Sequence, residues 1–212
     1  MAVYDLEEQE KIEDLKAWWA QYGPLVAAVT VAAAIVVIGI QGWRWYQRTQ
    51  SEQASVLYQA VADAARADDV VKAKDPAMQI EERYARTAYA PRAALFYAKL
   101  LYDKGDKTAA KGQLQWVIDH AGDEEIRAIA RFRLAEVLLD EKSYDQALQT
   151  LDVKTDDAFA ALYADLKGDI LASAGKSQEA RAAYQVALAR IDPKSPYRPF
   201  VQVKLDALGG AQ

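Results

Sequence analysis

The chain of 212 residues has no cysteine and a single histidine, His120. Without cysteine there is no disulfide framework, no thiolate metal site and no cysteine nucleophile. A serine triad would have to be built around His120. That residue lies in the stretch Val117-Ile118-Asp119-His120-Ala121-Gly122, at the end of an apolar helical pattern, where a cation complements the helix dipole. A Walker loop, a dinucleotide fingerprint and a calcium loop are also missing. The paired carboxylates Asp68–Asp69 and Asp156–Asp157 fall at helix ends or on polar faces, where capping and solvation explain them. No catalytic, metal-binding or cofactor-binding constellation is left, and the chain is not expected to be an enzyme.

A basic excess is missing too. The net charge is −5, and residues 1–16 supply −4 of it through six acids and two lysines. The other 196 residues sum to −1. A nearly neutral domain has no electrostatic footprint for nucleic acid.

What is present is one long apolar run. Leu25–Ile40 holds nine Leu, Val or Ile residues, inside an uncharged window of 27 residues from Ala17 to Trp43. A helix needs about 20 residues to cross about 30 Å of hydrocarbon. Nine such residues contribute roughly −3 to −5 kcal/mol to insertion. Trp18, Trp19 and Tyr22 precede the run, and Trp43, Trp45 and Tyr46 follow it with Arg44, the arrangement of an interfacial belt in the lipid bilayer. The preceding region is acidic and no small-residue cleavage site follows, so one uncleaved anchor is expected. Lys11 and Lys16 on one side balance Arg44 and Arg48 on the other, so charge leaves the orientation open.

Four segments follow: an acidic tail (1–16), the membrane helix with its aromatic flanks (17–46), connecting helices (47–90) and a repeat region (91–212). From Gln47 to Lys74 there is neither Pro nor Gly, and Ala54, Leu57, Tyr58, Val61 and Ala65 make one apolar face. Asp75 and Pro76 are expected to end this helix, and a short one near 77–87 to follow.

Beyond Pro91 small residues recur. Ala98, Ala135 and Gly168 step by 37 and then 33, and Ala110, Ala147 and Ala180 repeat the steps 12 residues later. Gly105, Lys142 and Gly175 fall seven past the first series, where a helix must turn. Leu101, Leu138 and Leu171 align, as do Leu114, Leu151 and Tyr184. Facing small residues let antiparallel helices approach closely. A period near 34 resembles the tetratricopeptide repeat; the third unit matches best, with Gly168, Leu171, Gly175, Ala180, Tyr184, Ala187 and Pro193. The expected fold is all-α: one transmembrane helix, then a tetratricopeptide-like solenoid of three helix hairpins with a capping helix over 197–208.

Such a solenoid binds on a concave face lined by the first helices. The register points Arg92, Leu95, Lys99, Tyr102, Ile129, Phe132, Glu136, Leu162, Asp165 and Asp169 there. The alternative packs Leu95, Phe132 and Leu162 against the preceding helices instead. Leu95, Phe96, Lys99, Phe132, Arg133 and Glu136 occupy the places where carboxylate-gripping repeats carry Lys and Asn, so no terminal-carboxylate clamp is expected.

The acidic start, the span followed by Gly42-Trp43-Arg44-Trp45-Tyr46, and Ala164-Asp165-Leu166-Lys167-Gly168-Asp169 running on to Gly175 and Ala180-Arg181 together resemble the YfgM family of bacterial inner-membrane proteins. The resemblance implies a cytoplasmic N-terminus, a periplasmic repeat domain and an ancillary role at the Sec translocon (SecYEG). It also implies partnership with a PpiD-type periplasmic chaperone, close to emerging secreted or membrane polypeptides. A different interaction class is an assembly scaffold for another envelope complex, such as that of cytochrome maturation.

The anchor makes a direct prediction. Arginine at mid-span costs about 2.5–3.5 kcal/mol on insertion scales. Val31→Arg with Ile35→Arg therefore outweighs the apolar gain, and the double variant should be released by alkaline carbonate while the parent chain stays in the membrane pellet.

Overall fold

A computed structural model describes residues 3–154 and 157–209, and side-chain surroundings over 10–154 and 159–209. Asp156 and Gly210 lie outside the described residues. The regular elements described are all helices: α1 (Val3–Arg66), α2 (Val70–Tyr84), α3 (Tyr89–Asp103), α4 (Lys107–His120), α5 (Glu124–Asp140), α6 (Tyr144–Leu151), α7 (Asp157–Ser173), α8 (Ser177–Arg190) and α9 (Arg198–Ala207). Residues 1–50 and 51–212 form two compact units.

The first unit is the N-terminal part of α1. Its apolar window is long enough to cross a bilayer, and only 6% of that window is buried by protein. Ile35, Val36, Val37 and Ile38 are all exposed, by 55% to 70%. A core helix would be covered by its own chain, so this face needs an apolar solvent. The Thr30 hydroxyl donates to the Val26 carbonyl at 2.8 Å, so the one hydroxyl in the run has a partner within the helix. The flanking rings group in pairs: Trp18 lies 5.7 Å from Tyr22, and Trp43 lies 6.0 Å from Tyr46.

The second unit is a row of helix hairpins. The turn between the two helices of each is the same device. Asp68, Gly105, Lys142 and Gly175 have φ of 55°, 86°, 59° and 77°. The next residue's N–H in each case donates back to the fifth residue before it, at 2.9 Å: Asp69 to Ala64, Asp106 to Leu101, Ser143 to Leu138 and Lys176 to Leu171. This left-handed turn ties off the end of the first helix. Asp69 and Asp106 then cap the second helix, accepting from the N–H of Lys72 at 3.0 Å and of Ala109 at 2.9 Å.

Two expectations are corrected here. The first soluble helix ends at Arg66, eight residues before Lys74, because the Asp68 turn stops it. Pro76 does not break a helix but sits inside α2, which starts at Val70. The stretch read as connecting helices therefore holds a hairpin with the same turn as the others. Its turn residue, Asp68, precedes Gly105 by 37 residues, the step that separates Gly105 from Lys142. Ala73 and Val61 occupy its two small-residue places, and both are fully buried.

Successive hairpins stack: α2 on α3, α4 on α5, α6 on α7, and α9 on α8. The first helices also meet one another, α3 with α5 and α5 with α7, so α3, α5 and α7 share one side of the row. The core is made of the aligned positions. Ala98, Ala135, Ala110, Ala147 and Ala180 are buried, with Leu101, Leu138, Leu171, Leu114, Leu151 and Tyr184 around them.

The third repeat-region hairpin departs in a coupled way. Where the others pair Ala with Leu, it pairs Gly168 with Tyr184. A Cβ on Gly168 would run into the Tyr184 ring. Forcing extra volume into a packed core costs about 1–3 kcal/mol. Gly168→Ala is thus expected to lower stability by about that much in urea melts, and Gly168→Ala combined with Tyr184→Leu to recover a large part of it.

Candidate functional site

The shared side of α3, α5 and α7 forms a groove of about 710 Å³, whose lining also includes Tyr58 of α1. That is within the usual range of binding clefts, about 300–1,000 Å³. Helix periodicity builds it. Arg92, Leu95, Phe96, Lys99, Tyr102 and Asp103 follow one face of α3, and Ile129, Arg133, Glu136, Val137 and Asp140 one face of α5. α7 adds Leu166 and Asp169.

Seven of the residues predicted for the concave face line this groove: Arg92, Leu95, Lys99, Tyr102, Ile129, Glu136 and Asp169. Three do not. Phe132 packs on the core, its ring 6.3 Å from that of Tyr163. Leu162 is half-buried outside the lining. Asp165 is only 3% exposed and is taken up inside the domain. Tyr58, Phe96, Asp103, Arg133 and Asp140 were missed. Tyr58 was findable, since it lies 37 residues before Leu95 and so holds the same place in the preceding hairpin.

Asp165 is the centre of a polar latch. Lys204 of α9 donates to Asp165 Oδ2 at 2.9 Å and to Asp169 Oδ2 at 2.7 Å. The Tyr197 hydroxyl donates to Asp165 at 2.5 Å, and the Tyr184 hydroxyl to Asp169 at 2.7 Å. Burial works against the Lys204 charge, but hydrogen bonds to the two carboxylates outweigh it and hold its pKa above the ordinary value. Burial and then the carboxylate contacts push both tyrosines up. Asp169 thus faces the groove on one side and α9 on the other.

Around the groove the charges meet each other. Lys99 pairs with Asp103, Arg133 with Glu136 at 2.8 Å, and Arg92 with Asp123 at 3.8 Å. Asp140 accepts from Tyr102 and from Lys107, the latter at 3.4 Å. The hydrogen bond to Asp140, with burial second, raises the Tyr102 pKa to about 12.

Away from the groove, the Glu81 carboxyl of α2 is raised to about 7 chiefly by burial, against a hydrogen bond from Gln113. One oxygen each of Glu81 and Gln113 is buried without a donor, which favours the neutral acid. Glu81 does not line the groove. His120 stacks on Trp116 with ring centres 4.6 Å apart, and its Nδ1 meets the Trp116 carbonyl at 2.9 Å, at the end of α4. Among the described residues no group of three His, Asp or Glu is arranged to hold a metal ion.

Comparison with known proteins bears on this architecture. A family description for a tetratricopeptide repeat-like domain matches residues 16–210. A protein of Neisseria gonorrhoeae named ancillary SecYEG translocon subunit is 33% identical over 207 residues, spanning 96% of this chain and 98% of its own length. The chain belongs to this family. An Escherichia coli member of the same name is 29% identical over 211 residues, covering 98% and 99% of the two chains. Among solved structures, the MamA fragment from residue 41 onward of Desulfovibrio magneticus RS-1 superposes with a TM-score of 0.55 at 18% identity, covering 75% of this chain and 90% of that one. That likeness concerns the fold: a tetratricopeptide-like solenoid, as the repeat spacing predicts.

The latch generates a prediction with a sign. The Lys204 pKa is raised above its unfolded value, so its stabilisation is complete below about pH 10 and disappears as pH rises through the folded value. Lys204→Met leaves two carboxylates without their cation. Breaking a buried pair costs about 3–5 kcal/mol, and since Lys204 is about a third exposed the loss should be nearer 2–3 kcal/mol at neutral pH. Denaturant melts of the two chains at pH 7 should show that gap, and it should narrow in strong alkali.

Proposed function

We propose that this protein is a single-pass inner-membrane adaptor of the Sec translocon, with its N-terminus in the cytoplasm and its repeat unit in the periplasm. Its work is binding. The anchor holds the repeat unit beside SecYEG, where the groove between α3, α5 and α7 engages a PpiD-type chaperone or an emerging polypeptide. The observation that carries this reading is the end-to-end relation to proteins named ancillary SecYEG translocon subunit, at 33% and 29% identity. The groove adds what such a role needs: an open cleft with a mixed apolar and polar lining on rigid helices. A tether raises the effective concentration of the groove at its partner, so weak contacts suffice.

Photo-crosslinkers at Phe96 and at Tyr102, introduced into the full chain in intact membranes, test this. SecYEG subunits and a periplasmic chaperone are the expected products. Recovery of cytochrome-maturation subunits alone would replace the translocon reading with the scaffold one. Accessibility of Lys99→Cys to a membrane-impermeant maleimide, applied from the periplasmic side, checks the orientation.

A further inference from the structure

The charges that border the groove are already spoken for, and that bears on what the groove can select. We propose that its occupant is an uncharged, apolar stretch of a polypeptide chain, recognised by side-chain burial and not by ion pairing or by a terminal carboxylate. This rests on the reading of the groove as the polypeptide site.

The floor is apolar. Leu95 of α3, Ile129 and Val137 of α5 and Leu166 of α7 converge there, with Phe96 at the mouth, 5.8 Å from the Tyr58 ring. Phe96 is 39% exposed, so part of a large ring is left for a ligand to cover. The polar lining is arranged differently from that of a site that grips charge. Lys99, Arg92 and Arg133 each face a carboxylate of this chain. The Asp140 carboxylate takes the Tyr102 hydroxyl and Lys107, and Asp169 takes Lys204 and the Tyr184 hydroxyl. The three pairs made by Lys99, Arg92 and Arg133 are solvent-exposed, so a charged ligand that exchanged with one of them would swap one weak exposed ion pair for another and gain little. An apolar ligand displaces only water from the floor, the transfer that favours burial. The lining carries Arg92, Lys99 and Arg133 against Asp103, Glu136, Asp140 and Asp169, so the two signs nearly balance over the groove as a whole and its net field is small.

The test uses the full chain in nanodiscs, with p-benzoylphenylalanine at Phe96 to report where a ligand sits. The probes are three dye-labelled peptides of about nine residues with blocked ends. One alternates Leu with Asn and Ser. The second replaces two Leu by Lys, and the third replaces them by Asp. Binding is read by anisotropy against empty nanodiscs. The neutral peptide should crosslink at position 96, and its Kd should change less than about twofold between about 0.05 M and about 0.5 M salt, because screening acts on exposed charges only. Either charged peptide should bind about tenfold more weakly or worse, since each loses two buried side chains. Phe96→Ser should weaken the neutral peptide several-fold while the helical circular dichroism stays unchanged. Preferred crosslinking of a charged peptide, with a steep loss in salt, would overturn the inference and leave the groove as the polypeptide site. Failure of all three peptides to crosslink would overturn it together with that assignment.

Discussion

Each hairpin of the repeat unit closes on facing small residues, and the separation of the two helix axes follows from their size. Alanine at positions 98 and 110, and again at 135 and 147, leaves room for the backbones to come close and for Leu101, Leu114, Leu138 and Leu151 to fill the layer beside them. The left-handed turn then has to sit a fixed distance along the chain, because a tight crossing admits only one register. Stacking is a second-order result. A hairpin with one polar and one apolar side cannot cover itself, so the next one must, and the row of first helices that results makes the groove.

The same constraint explains why so much of the fold was legible. Spacing alone located the turns at Gly105, Lys142 and Gly175, including the lysine, whose left-handed φ is rare for a residue with a side chain. The span was legible because no alternative burial exists for sixteen such residues. The first hairpin was not. Its turn is Asp68, its small position is Val61, and it carries no glycine, so the pattern did not announce itself. Proline misled as well. Pro76 was expected to stop a helix, yet α2 runs through it, because the chain has already turned at Asp68 and a new helix is under way.

At the groove, periodicity placed the residues of α3 well and those of α7 poorly. Leu95, Phe132 and Asp165 hold equivalent places in successive hairpins, but only Leu95 reaches the cavity. Phe132 leans on Tyr163, and Asp165 is drawn under α9 by Lys204 and Tyr197. Both diversions depend on contacts from helices far along the chain, 31 to 39 residues away, which no local pattern encodes. The pairing of the rim charges is of the same kind: a list of residues facing one way does not say which of them neutralise each other.

The Gly168–Tyr184 contact constrains the paths by which such a repeat can change. Relative to the alanine and leucine at these places in the neighbouring hairpins, a tyrosine beside a Cβ overfills the layer, at a cost of about 1–3 kcal/mol. A glycine beside a leucine instead leaves a small void, which the tyrosine ring fills and anchors through Asp169. Either change alone leaves the layer overfilled or underfilled, so the two residues of the last hairpin are coupled through the volume of a single methyl group.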